Sequence, residues 1–147
     1  MIYKTILFMT ISILFISCGN QKEVPKTTLQ KYGNSYGIPW KKDLNSAFKK
    51  AKEEHKLVMV MAVSEGCSWC EKMKKNTLSN KKVAKKLENY LLVMADRETK
   101  SEREQLPPFE HVPIVFFMTH EKESLDNLRG YFDAEDFLEY IKSFEEE

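Results

Sequence analysis

The chain has 147 residues, 42% of them hydrophobic and 31% charged, with a formal net charge of +1. This length suits one ordinary domain, and the apolar content is too high for a disordered chain. The near balance of 23 basic and 22 acidic residues gives no electrostatic footprint for a nucleic-acid partner. Charge is nonetheless uneven. Lys72, Lys74, Lys75, Lys81, Lys82, Lys85 and Lys86 crowd one region, and Asp133, Glu135, Asp136, Glu139 and Glu145 to Glu147 another. Both read first as solvated helix faces, with a basic rim that attracts acidic partners as the alternative.

Met1 to Ser17 joins a short leader carrying Lys4 to an apolar run, Ile6 to Ile16. The run is too short to span a bilayer comfortably and has the length of a signal-peptide core. Phe15-Ile16-Ser17-Cys18-Gly19 is similar to a bacterial lipobox, with Phe15 where leucine is usual. That resemblance implies a signal peptide over residues 1–17 and a lipidated Cys18 that anchors the chain to a membrane, facing the periplasm. A plain secretory signal or an uncleaved anchor, with Cys18 incidental, is the alternative. Residues 18–38 are polar and contain Pro25, Gly33 and Gly37, which suggests a tether. The aromatic-rich end of this stretch, up to Trp40, could pack on the domain as a short strand.

The remaining residues, 39–147, carry the periodic elements. Leu44, Ala47, Phe48 and Ala51 form one helical stripe within Asp43 to Lys56. Leu57 to Val63 is an unbroken apolar run, expected to be a buried strand, with a buried helical segment as the alternative that periodicity leaves open. Cys67 to about Lys75 takes helical spacing, and Asn76 to Asn80 is expected to break it, with Ser79 or Asn80 capping another helix through Val83, Ala84 and Leu87. Tyr90 to Ala95 is a second apolar strand candidate. Asp96 to Phe109 is polar and ends in Pro107-Pro108, so any helix there is short. Ile114 to Met118 follows Pro113 as a third strand, where a proline at the start costs least. Leu125 to Phe132, interrupted by Gly130, is a fourth, and Asp133 caps a last helix with Phe137, Leu138, Ile141 and Phe144 on one face.

The chemistry concentrates where the first strand ends. After Ser64-Glu65-Gly66 comes Cys67-Ser68-Trp69-Cys70, a CxxC at a strand-to-helix junction. At a helix start, free backbone N–H groups and the helix dipole favour a negative charge, which populates the attacking thiolate of Cys67. Cys70 lies one turn on and can close a disulfide with Cys67, releasing a bound partner. The chain has three cysteines; if Cys18 carries lipid, Cys67 and Cys70 remain as the only pair. A purely structural disulfide is the weaker reading, because a three-residue spacing closes almost no loop.

From about Trp40 to Phe144 the order of elements, the CxxC, Val112-Pro113 and Gly130 resemble the thioredoxin superfamily. Cys67-Ser68-Trp69-Cys70 with Lys72-Met73, Thr77 and Val83 is similar to its exported members, including the C-terminal thiol domain of the disulfide-bond membrane reductase. The resemblance implies an α/β fold, with a central mixed sheet of about four to five strands flanked by helices. It implies a cis Val112–Pro113 bond beside the CxxC, with Pro113 completing the catalytic set of Cys67 and Cys70, and Trp69 and Val112 on the substrate rim. It also implies thiol:disulfide oxidoreductase activity on protein disulfides, most directly their reduction, with a membrane donor or acceptor of thiols as redox partner. An oxidase or isomerase, or a non-enzymatic binding lipoprotein on the same scaffold, is the alternative.

The sequence departs from thioredoxins in two places. Met61 stands where they bury an aspartate that assists the second cysteine, and Val112 where threonine is common before the proline. Glu65 would oppose the thiolate slightly and His111 could tune it, although each reads more simply as a solvated residue. Cys67, Cys70 and His111 fall one ligand short of a closed structural zinc site, so no metal is expected. Nor is any small-molecule cofactor, because two sulfurs carry the electrons.

Overall fold

The computed structural model describes residues 28–33 and 36–146. Four strands form one mixed sheet: β1 (Leu57–Val63), β2 (Tyr90–Asp96), β3 (Ile114–Met118) and β4 (Ser124–Arg129). Their spatial order is β2-β1-β3-β4; β1 pairs parallel to β2 and antiparallel to β3, and β3 pairs antiparallel to β4. The helices are α1 (Thr28–Tyr32), α2 (Leu44–Glu54), α3 (Ser68–Lys72), α4 (Lys81–Leu87), α5 (Lys100–Arg103) and α6 (Ala134–Glu146).

The unbroken apolar runs are explained by burial on both faces of the sheet, which removes the need for polar alternation. Met59, Met61 and Val63 of β1 point to one side, where they meet Met73, Leu78, Val83, Leu87, Phe137 and Ile141. Val58, Val60 and Ala62 point to the other, where Leu44, Ala47, Phe48 and Ala51 of α2 cover them. The helical stripe expected for α2 is thus its buried stripe. Asp43 starts this helix with a capping box: its Oδ1 accepts from Ser46 N–H at 2.7 Å, and its own N–H donates to Ser46 Oγ at 3.3 Å. Asp43→Ala should therefore lower stability by about 1 kcal/mol, read as a lower urea midpoint at unchanged slope.

Three local expectations are corrected. The CxxC helix does not break at Asn76: it widens into a π-helical stretch, Met73–Leu78, and only then ends. The wider turn brings Met73, Lys74, Thr77 and Leu78 inward together, and Thr77 Oγ1 donates to Phe132 O, which ties the stretch to the start of α6. Asn80 then caps α4 through Lys82 N–H. Second, Lys74 is not part of a solvated face. It is fully buried, with its Nζ donating to Tyr32 O at 2.7 Å and paired with Glu71. Third, the stretch read as a tether carries helix α1, anchored on the domain, while the described residues of its aromatic-rich end form no strand. Trp40 instead packs into the core, and Lys41 N–H donates to Leu92 O at 2.7 Å. Periodicity could not reveal α1, because five residues are little more than one turn.

Candidate active site

β1 delivers the chain to Ser64 and a turn in which Gly66 has φ +69°, a left-handed conformation that glycine adopts without strain. Cys67 follows as the N-cap of α3 and forms a disulfide with Cys70. The Cys70 N–H points at Cys67 Sγ, 3.1 Å away, so the fold supplies that sulfur with a backbone donor. The two cysteines differ in access: Cys70 is 2% exposed, whereas Cys67 is only partly covered. Met61 is fully buried, in the same apolar cluster as Cys70 and Met73.

The peptide bond between Val112 and Pro113 is cis. Ala62 pairs with Ile114, so this bond lies at the end of the sheet from which β1 runs into the CxxC turn. Pro113 is buried and its carbonyl accepts from Gly130 N–H at 2.8 Å; Val112 is half-buried. His111 is exposed and lines a groove of about 360 Å³ with Phe109, Pro113 and Arg129. Among the described residues, no group of three or more His, Cys, Asp or Glu side chains is gathered as a metal site.

Trp69 is 53% exposed beside the cysteines. Its ring lies 5.5 Å from that of Tyr131, and Lys72 Nζ sits 4.7 Å from the Trp69 ring centroid and 4.6 Å from that of Tyr131. An ammonium over two ring faces is an attractive arrangement that holds the exposed indole in place. Sequence reasoning identified Trp69 but not Tyr131, which comes from the loop after β4 and meets Trp69 only in the folded chain.

A second groove, of about 400 Å³, opens beside Cys67 and is lined by Lys31, Tyr32, Glu65, Gly66, Ser68 and Glu71. Behind its wall lies Asp96, the last residue of β2 and 3% exposed. The Asp96 carboxylate accepts from Lys31 Nζ and Tyr32 OH, each at 3.0 Å, and from Glu98 N–H at 2.9 Å. Burial alone would push this carboxyl up, but the Glu98 N–H, Lys31 and Tyr32 outweigh it and hold it below its ordinary value. Hydrogen bonding to the Tyr32 hydroxyl, then to Asp96, pushes the Lys31 ammonium well above its ordinary value. Lys31, Tyr32, Lys74 and Asp96 were all missed in the sequence. The one available signal was a charged residue closing an otherwise apolar strand. Met1 to Ser17 and Cys18 lie outside the described residues.

The model of the thioredoxin-like domain family matches residues 44–145. A curated relative, spermatogenesis-associated protein 20 of Mus musculus, is 36% identical over 61 residues, which are 41% of this chain and 7% of that protein. The chain thus spans a small part of that relative's length. Among solved structures, a thioredoxin from Thermus thermophilus aligns with TM-score 0.58 and 23% identity, over 68% of this chain and 82% of its own. The oxidised DsbD C-terminal domain of Neisseria meningitidis gives 0.55 and 23%, over 68% and 91%. DsbH oxidoreductase gives 0.54 and 17%, over 73% and 83%. At these identities the likeness to the three structures is one of fold. Its close cysteine pair lies at the junction of β1 and α3, and with residues 44–145 matched the chain belongs to the thioredoxin-like domain family.

Proposed function

We propose that this protein is a membrane-tethered reductase of protein disulfides, facing the periplasm through a lipid on Cys18. The observation that carries the catalytic part is the asymmetry of the pair: Cys67 is accessible and receives a backbone N–H, while Cys70 is buried one turn behind it. The Cys67 thiolate attacks one sulfur of a substrate disulfide. That S–S bond breaks, the other substrate sulfur leaves and takes up a proton, and a mixed disulfide remains. Cys70, losing its proton, then attacks Cys67 Sγ and expels the second substrate sulfur. Two electrons have passed to the substrate, the protein holds the Cys67–Cys70 disulfide, and an external dithiol must restore it. Pro113 and Val112 present the backbone edge along which an extended substrate segment lies, and Trp69 forms the opposite rim. The tether is supported by the signal-like run Ile6 to Ile16 and the lipobox-like Ser17-Cys18. Among the relatives in fold is a periplasmic thioredoxin, SoxS of Paracoccus pantotrophus, aligning with TM-score 0.51 and 15% identity.

Equilibration in thiol–disulfide buffers, with thiol trapping, tests the direction. The reductase reading expects a reduction potential near about −270 mV. A value nearer about −120 mV would identify an oxidant of exported proteins instead, and no reversible exchange at all would leave a binding protein on this scaffold.

A further inference from the structure

Helix α1 precedes the region matched by the family, residues 44–145, yet it supplies one wall of the groove beside Cys67. A five-residue helix has no stability of its own in water. Here it is fastened from three elements. Thr28 Oγ1 donates to Glu102 of α5 at 2.6 Å, and Tyr32 O accepts from the buried Lys74. Lys31 and Tyr32 both donate to Asp96 of β2. These contacts fix where the Lys31 ammonium stands.

The charges around that groove are finely divided. Glu65 comes from the turn after β1, Glu71 from α3 and Asp96 from β2; Lys31 from α1 and Lys74 from the π-helical stretch oppose them. Lys31 Nζ lies 3.0 Å from Asp96 and 3.9 Å from Glu65, so it screens two carboxylates at once. Lys74 is committed to Glu71 and the Tyr32 carbonyl, and Lys72 stands over Trp69 and Tyr131. Glu102 is occupied by Thr28 and by the Asp96 N–H. Removing Lys31 takes an ammonium away from beside Asp96 and Glu65. Both the lost cation and the unscreened Asp96 and Glu65 would disfavour a thiolate nearby.

We propose that Lys31, clamped to Asp96 in the wall of the groove that opens on Cys67, is a positioning residue that sets the charge balance at the Cys67 sulfur and so its thiolate population. The inference rests on the reading of Cys67 as the nucleophile. The test is the pH dependence of alkylation by iodoacetamide of the reduced full-length chain, with the modified cysteine identified by peptide mass. Lys31→Met should leave about three- to tenfold less Cys67 thiolate below the titration midpoint, and Lys31→Arg should restore it. Asp96→Asn, which removes the opposing charge, should shift the same titration the other way. A merely structural network would move both variants in the same direction, and that result overturns the inference. So does an unchanged Cys67 titration in Lys31→Met. A low, Lys31-sensitive titration at Cys70 instead of Cys67 would overturn the assignment of the nucleophile, and with it the proposed function.

Discussion

Cys67→Ser is expected to reduce thiol–disulfide exchange by at least about 10³-fold, because a serine hydroxyl is neither ionised at neutral pH nor able to carry the electrons. Cys70→Ser should behave differently. The accessible Cys67 remains, so the first attack proceeds, but nothing behind it resolves the mixed disulfide. The variant should therefore accumulate as a covalent complex with a disulfide-bonded protein, released by dithiothreitol and visible on a non-reducing gel. Neither change should unfold the domain, since a bond between residues three apart constrains the unfolded chain little. Circular dichroism checks that point. If Cys70→Ser lost the first attack while Cys67→Ser kept it, the two roles would be reversed, against the burial of Cys70.

Phe117→Ala should be the most damaging substitution for stability, costing about 3–5 kcal/mol. Phe117 is fully buried in β3, paired across the sheet with Met59. Its ring meets Tyr90 at 5.6 Å, Tyr140 at 5.7 Å and Phe144 at 4.9 Å, and so joins β2, β3 and α6. Removing it leaves a cavity bounded by three other rings, which cannot collapse without moving a strand or a helix. Against a typical domain stability of about 5–15 kcal/mol, that is a large fraction. Urea unfolding followed by fluorescence measures it. A loss below about 1 kcal/mol would mean that the α6 rings close over the gap and that Phe117 does not hold the three elements together.

The separation of these effects follows from the fold. The cysteines sit on a turn and a helix start beyond the C-terminal end of β1, whereas Phe117 holds the body of the sheet to α6. Chemistry and stability are therefore assigned to different residues, and the first can be probed without disturbing the second.

The sequence by itself determined the frame. Leu57 to Val63 read as a buried strand because seven consecutive apolar residues suit cover on both faces, and the α2 stripe supplies it on one side. The CxxC was legible because its chemistry needs its two cysteines close in sequence. Asp133 declared its helix start for the same reason, and Asn80 was one of two candidates for another, since a cap acts on residues two or three positions away. What only the tertiary structure decided depends on contacts between distant positions. Tyr131 joins Trp69 and Lys72 from the far side of β4, and the buried Lys74 ammonium donates a hydrogen bond to the carbonyl of Tyr32, 42 residues earlier. Lys31 reaches Asp96 across 65 residues, from a stretch whose composition reads as a tether. No local pattern encodes such pairs: each partner alone is an ordinary polar residue, and their energy exists only once the sheet has brought them together.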